Sequence, residues 1–365
     1  MNEKKKEPFF HIVKRDALPW YQSVGIRAIA IVLALIVCAI VTTITTGINP
    51  IQVYESMIIG AFGSARKTWV TFQNISILLL IALALTPAFK MKFWNIGGEG
   101  QVLIGGLAAA ACMICLGDKI PNALIVVCMI LASIAAGAVW GFIPAFFKSK
   151  WNTNETLSTL MMNYIAIAFI SYLQYGPWKD PAALGAAKVP NFSENAVLPD
   201  VFGIHAGWII MLVLVIIMTI LLRYTKLGYQ IDVIGESETT AKYAGMNTVK
   251  ILVIAVLISG GLCGMAGFMQ SSAVEKSITD SMSAGLGFTA VITAWLAKLK
   301  PPVIVVASFM FSILLQSGSS LQVMKIPSSI TEIMQGVIIF FVLACEFFIN
   351  YKISLRKHTA VKEAE

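Results

Sequence analysis

Charge is the scarcest property of this chain. Asp, Glu, Lys and Arg together make up 13% of its 365 residues, against about a quarter in soluble domains. Histidine is nearly absent too. His11, His205 and His358 are the whole set, and all three fall outside the core of the long apolar runs. Neither an HExxH zinc pair nor a serine-histidine-acid triad can therefore be assembled within those runs. No GxxxxGK[ST] loop occurs, so the chain has no motif of its own for cradling nucleotide phosphates. The six cysteines (Cys38, Cys112, Cys115, Cys128, Cys263 and Cys345) all sit in apolar stretches, which leaves none in the polar connections to build a disulfide framework. Cys112 and Cys115 have CxxC spacing, but lacking a second pair or nearby histidines they read as small packing residues. Ten-residue alternation of apolar and polar residues does not recur, which excludes a membrane barrel. The expected lists of catalytic and metal-binding residues are both empty.

What is present in excess is apolar sequence: 58% of residues are hydrophobic and the mean hydropathy is +0.80. Runs almost free of charge cover 28–46, 68–89, 101–117, 121–147 and 156–178, then 201–222, 251–274, 281–297, 301–324 and 333–345. Most approach the roughly 20 residues that a helix needs to cross about 30 Å of hydrocarbon, the runs near 290 and 340 being short. The expected fold is an all-α polytopic membrane protein of about ten transmembrane helices. The polar lead before the first run is long, and no small-residue cleavage pattern follows that run, so it reads as a retained helix, not a secretory signal.

Orientation follows from the basic residues. Placing both termini in the cytoplasm puts 20 of the 27 Lys and Arg residues on the inside, as the positive-inside rule requires. The net charge of +8 is thus a topological signal, since no basic run is interleaved with aromatics as nucleic-acid binding would need. The expected organisation is a cytoplasmic segment over 1–23, a transmembrane domain over 24–350 and a cytoplasmic tail over 351–365. Within the domain, 224–250 is an inner loop and 179–206 an outer one.

Three polar stretches interrupt the apolar pattern. In FWNIGGEGQ (93–101), Asn95 is expected to cap a helix starting near Ile96, with Glu99 in its first turn, where the helix dipole favours a carboxylate. The glycines allow close backbone approach or a break in the chain, so the stretch reads either as a packed helix entrance or as a place of solute contact. In the second stretch, Asn152 and Glu155 have capping-box spacing before the fifth helix. Thr156, Thr159, Asn163, Ser171 and Gln174 then fall near one face of that helix, as either a solute path or interhelical hydrogen bonding would require. The third, 225–251, contains a short helix expected over 237–244 and stopped by Gly245, with Tyr243 among its charges. Its compactness suits docking onto another protein. Gly137 with Gly141, and Gly260 with Gly264, form two GxxxG pairs expected at helix contacts.

In this order, FWNIGGEGQ, NETLSTLMMNYIA (154–166) and LGYQIDVIGESETTAKYAGMN (227–247) resemble the permease subunits of bacterial ABC importers for simple sugars and nucleosides, a branch that includes the branched-chain amino-acid permeases. GLGFTAVITAWLAKLKPP, from Gly285, resembles a further segment of that family. The likeness runs from about residue 24 to 350 and is nearest to the nucleoside permeases. Where the family often has a glycine-rich stretch after its eighth helix, this chain has Lys298, Lys300, Pro301 and Pro302. The resemblance implies a multi-pass permease of the bacterial cell membrane that binds no cofactor itself, with ATP and magnesium on a partner ATPase. It also implies a second, homologous permease and a lipoprotein that binds the substrate. It assigns Gly235, Glu236, Ala241, Tyr243, Ala244 and Gly245 to the helix that couples to the ATPase. Aromatic faces and amides suit a nucleobase, which makes Trp94, Asn95, Glu99, Gln101, Thr159, Asn163, Tyr164 and Gln174 the candidate lining of the path. The alternative is a gradient-driven transporter or channel, which would call for charges within the spans.

Overall fold

The structure is a computed structural model that describes residues 10–14, 19–117, 119–181, 183, 187–201 and 204–355. Its elements, in order, are β1 (Phe10–Lys14), α1 (Trp20–Thr46), α2 (Pro50–Phe62), α3 (Ala65–Lys90), α4 (Gly98–Leu116), α5 (Asn122–Trp151) and α6 (Glu155–Tyr175). A 3-10 turn (Glu194–Ala196) and the two-residue strands β2 (Asp200–Val201) and β3 (Ile204–His205) lead to α7 (Gly207–Tyr224), α8 (Lys226–Glu236) and α9 (Glu238–Tyr243). Then come α10 (Thr248–Met269), which runs on as a π-helical turn (Gln270–Glu275), α11 (Leu286–Leu296), α12 (Pro301–Val323), α13 (Ser328–Asn350) and β4 (Tyr351–Leu355). The protein is a nearly all-helical, multi-pass membrane protein.

Among the described residues, nine helices are long and apolar enough to cross a membrane: α1, α3 to α7, α10 with its π turn, α12 and α13. The short run near 340 lies within the 23-residue α13, and the run near 290 forms only the 11-residue α11. At 1.5 Å per residue α11 is about 16 Å long, half the thickness of hydrocarbon. The expected tenth span is thus a half-length helix, because the chain ahead of it stays non-helical until Ala284 and Gly285, both in the left-handed region. After α11 the turn is made by Lys298 and Leu299, again left-handed, and Pro301 starts α12. Proline suits that first turn, where its missing N–H costs no hydrogen bond.

The chain divides into two compact units. One comprises 1–56 and 318–365. There α1 packs along α13, with Ala30, Cys345 and Ile349 in its core, and β1 pairs with β4 in antiparallel register, Phe10 opposite Leu355. The parts of the two expected cytoplasmic ends at 1–9, 15–18 and 356–365 lie outside the described residues.

The other unit, 57–317, holds the motifs. Helix α3 is its axis: from Ile75 to Phe89 every residue is buried. A helix apolar on all sides belongs at the centre of a bundle, and the LLLIALAL run requires that. Around it, α4, α5 and α10 meet along small residues, as the two GxxxG pairs led one to expect. A side chain at Gly137 would strike the carbonyl of Gly260, one at Gly264 the carbonyl of Ser133, and one at Gly105 the backbone of Gly264. The Ser133 hydroxyl donates to the Gly105 carbonyl at 2.8 Å. Close backbone approach of this kind drives helix association where no hydrophobic force separates side chain from lipid.

Candidate functional site

The glycine motif is the join between α3 and α4, and it does not run along the end of the bundle. Phe93 packs against Ala88, Ala145 and Val256, and the Asn95 amide donates to the Ser259 hydroxyl at 3.1 Å. Ser259 lies eleven residues into α10, about 16 Å from its Thr248 end. The connection from Met91 to Gly97 therefore penetrates the bundle and α4 begins deep inside it. Irregular backbone at such depth must find its partners in protein, and the polar residues of the motif and of α6 supply them. Asn95 and Gln101 exchange amide hydrogen bonds at 3.1 and 3.2 Å, and the Asn95 oxygen also accepts from Gly97 N–H at 3.1 Å. From α6, the Thr159 hydroxyl accepts from Ile96 N–H at 3.2 Å and the Asn163 oxygen from Gly100 N–H at 2.8 Å, while the Asn163 amide donates to the Ile96 carbonyl at 3.0 Å.

Two expectations about local capping are corrected by this geometry. Helix α4 starts at Gly98, so Asn95 closes a turn ahead of the helix and does not cap it. Nor do Asn152 and Glu155 form a capping box. Asn152 is the left-handed residue that ends α5, Asn154 caps α6 by accepting from Leu157 N–H at 3.1 Å, and Glu155 pairs with Lys148 at 3.0 Å. An asparagine tolerates the left-handed conformation that closes a helix, and the next one along is free to cap.

Glu99 stands in the first turn of α4, but its carboxylate serves another helix. One oxygen accepts from the Ser283 hydroxyl at 2.5 Å and Gly285 N–H at 2.9 Å, the other from Gly287 N–H at 2.7 Å. Those donors form the start of α11. A buried carboxylate is tolerated when donors meet both of its oxygens and a helix N-terminus faces it, and both conditions hold. Gly287 must be glycine, since a Cβ there would overlap the backbone of Glu99. Glu99 thus fixes where α11 begins, about halfway through the bundle.

At its other end α11 brings Trp295 onto Trp94, with ring centroids 5.0 Å apart and planes 13° from parallel. Phe89 tilts against both indoles, 6.2 Å from Trp94 and 5.9 Å from Trp295. Of the eight residues expected to line a path, Asn95, Glu99, Gln101, Thr159 and Asn163 are gathered at this junction, all buried, with hydrogen-bonded side chains. Trp94 is beside them and part exposed, and Tyr164 is exposed on α6. Gln174 lies at the far end of α6, where it donates to the Ala187 carbonyl at 2.7 Å and accepts from Asp280 N–H at 3.1 Å. It ties the 179–206 loop to the approach to α11. His205, in the same loop, is fully buried with neither ring nitrogen partnered among the described residues, and burial lowers its pKa to about 4 against a smaller opposing pull from Asp200.

On the side of α3 where Lys90 and Lys92 lie, the third motif folds as expected into α9, capped by Ser237 and closed by Gly245 at φ 74°. Ala241 anchors α9 in an apolar cluster with Met91, Met218, Ile231, Ile234 and Ile251. Gly235 packs so closely on the Lys90 carbonyl that a Cβ would collide with it, and Lys90 pairs with Asp232 at 2.7 Å. Glu236, Ala244 and Gly245 are exposed, and Tyr243 is 90% exposed. A cavity of about 540 Å³ opens beside α9, lined among others by Lys92, Lys148, Glu155, Glu238 and Lys242. No group of three or more potential metal ligands occurs among the described residues.

Sequence reasoning found the Glu99, Asn163 and Tyr243 stretches but missed their counterparts: Ser283, Gly285, Gly287, Ser259 and Trp295. The GLGF stretch was visible as a motif, yet nothing in it announces a carboxylate 184 positions away.

Residues 69–343 match the family described as branched-chain amino acid transport system / permease component. A nucleoside ABC transporter permease protein, NupB, of Lactococcus lactis subsp. cremoris is 30% identical over 356 residues, covering 94% of this chain and 96% of its own. A glucose ABC transporter permease protein of Haloferax volcanii is 26% identical, with 93% and 92% covered. A guanosine ABC transporter permease protein, NupP, of Bacillus subtilis is 28% identical, with 86% and 91% covered.

Proposed function

The chain belongs to this family of permease components of branched-chain amino acid transport systems, and from that premise we propose that it is the membrane-spanning subunit through which an ABC importer admits nucleosides, or a related simple sugar, to the cell. The observation that carries the nucleoside reading is the end-to-end likeness to the nucleoside permease, 94% of one chain against 96% of the other. ATP and magnesium are bound and turned over on a separate subunit, so this chain needs no catalytic residue. A second permease completes the path, and a lipoprotein delivers the solute from outside.

In this reading both termini are cytoplasmic, the domain spans 24–350 between the segments 1–23 and 351–365, and 224–250 faces the ATPase. What supports that role for the loop is a rigid base with an exposed tip: Ala241 and Gly235 are locked onto the body while Tyr243 is bare. ATP-driven closure of the partner swings α9, and the permeases rock between outward- and inward-facing shapes. The chain lowers the cost of moving a polar solute by offering amides, hydroxyls and aromatic faces in place of water. A gradient-driven mechanism is disfavoured because Glu99, the acid beside the path, has its oxygens already held by three donors. The test is uptake of radiolabelled nucleoside by cells that depend on this transporter, with unlabelled ribose and other nucleosides as competitors. Uptake indifferent to loss of ATP would refute the importer, and competition by ribose alone would move the substrate to sugars.

A further inference from the structure

One side of α11 is left partly exposed by the contacts that hold the helix. Phe288 and Trp295, seven residues apart and so on one face of the helix, are 41% and 37% exposed, and Ser281 and Ala284 are exposed on the approach to it. That approach cannot face lipid. Ser283 and Gly285 bind Glu99 deep in the bundle, Ala284 is in the left-handed region, and the non-helical stretch 276–285 takes its partners from Glu99 of α4, Gln174 of α6 and its own turns, not from a helical ladder. Non-helical backbone at membrane depth is stable only inside protein or beside water. Ser281 and Ala284 on this stretch are exposed, which fits a water-filled space beside the approach and the open face of α11, with the Trp94–Trp295 pair at the other end of the half-helix.

We infer that Trp94 and Trp295 form a stacking platform for the planar, uncharged base of the transported solute, an inference that rests on the nucleoside reading above. Two indoles 5.0 Å apart and 13° from parallel already make a stack, with Phe89 tilted against both rings. Each indole is only part buried, 43% of Trp94 remaining exposed, so the stack presents aromatic surface to which a third ring adds by the same offset-parallel geometry. Stacking accepts any base, because every base has a π face. A platform of this kind gives the path a preference for nucleosides over free sugars without selecting a single nucleoside.

The test measures initial nucleoside and ribose uptake by cells carrying the complete transporter, at equal membrane abundance, for the unaltered chain, Trp295→Leu and Trp295→Phe. Loss of one base–aromatic stack lowers nucleoside uptake by about tenfold in Trp295→Leu, while Trp295→Phe, which keeps a ring, stays within about threefold and any ribose uptake is unchanged. Trp94→Leu reports independently, since it leaves α11 intact, and gives the same loss. Nucleoside uptake that is normal in both leucine variants overturns the platform and leaves the proposed function standing, with the indoles then mere interface residues. Equal damage in Trp295→Phe and Trp295→Leu overturns it as well. If the unaltered chain carries ribose and no nucleoside, the substrate proposal falls and the platform with it.

Discussion

Replacing Glu99 with Gln changes one oxygen to an NH₂ and almost nothing in size. The native carboxylate accepts three hydrogen bonds, two on one oxygen and one on the other. The least damaging orientation of the amide keeps its carbonyl toward Ser283 and Gly285 and turns its NH₂ toward Gly287 N–H. That sets donor against donor at one contact and removes the charge from the other two. Hydrogen bonds to charged groups contribute about 1.5–3 kcal/mol and neutral ones about half as much. The sum of one lost bond and two weakened ones is at least about 3 kcal/mol. Thermal unfolding of the purified chain in detergent should show a fall of several degrees, since about 1 kcal/mol corresponds to roughly 2–4 °C in domains of 150–250 residues. Nucleoside uptake should fall with it, because α11 loses the anchor that sets its depth. Ser283→Ala removes a single donor and should cost about 1–2 kcal/mol, and the double variant should cost less than the two single changes added together. If Glu99→Gln melts and transports like the unaltered chain at equal abundance, the clamp does not hold α11 and the reasoning is wrong.

Other outcomes follow from separate features of the bundle. Tyr243→Asp, or deletion of 237–244, should leave the protein inserted yet uncouple ATP hydrolysis from uptake in the assembled transporter, and normal uptake after the deletion would refute the docking role of α9. Reversing Lys90 to Asp or Asp232 to Lys should lower uptake per ATP hydrolysed, and the double reversal should restore it. Stability should change by less than about 1 kcal/mol in each case, because the pair is partly exposed. Gly264→Val should cost roughly 3 kcal/mol or more in melting experiments, since its side chain meets the backbone of α5. Gly336→Ala, with open space around it, should be neutral or stabilising. His205 is held neutral by burial, so the unfolded chain binds its proton near pH 6.5 and the folded chain only near pH 4. Stability should therefore fall as pH drops from about 6.5 to about 4, by at most about 3 kcal/mol, and level off below that. His205→Phe should flatten that slope in pH-dependent melting curves, and an unchanged slope would assign the acid sensitivity to another group.

Much of this was legible in the sequence because it depends on composition and local spacing. Hydrocarbon needs long uncharged runs, so the spans could be counted along the chain. α9 was readable because Ser237 and Gly245 are local cap signals. The polar line on α6 was visible as spacing, but its partners were not, since Asn163 bonds to Ile96 and Gly100. Capping was misread at Asn152 because Asn154 stood equally within reach of the helix end, and at Asn95 because the helix starts only at Gly98, after a turn that packing sets.

The sequence by itself determined that this is a helical membrane protein, roughly where its spans lie, and which motifs mark its family, because hydropathy and order of motifs survive without coordinates. Only the tertiary structure decided that α11 stops halfway, that Glu99 of one helix is the cap of another, and that Trp295 meets Trp94. The physical reason is that a buried carboxylate or an irregular backbone segment must be satisfied wherever folding places a partner. Such partners are set by which helices touch, not by distance along the chain.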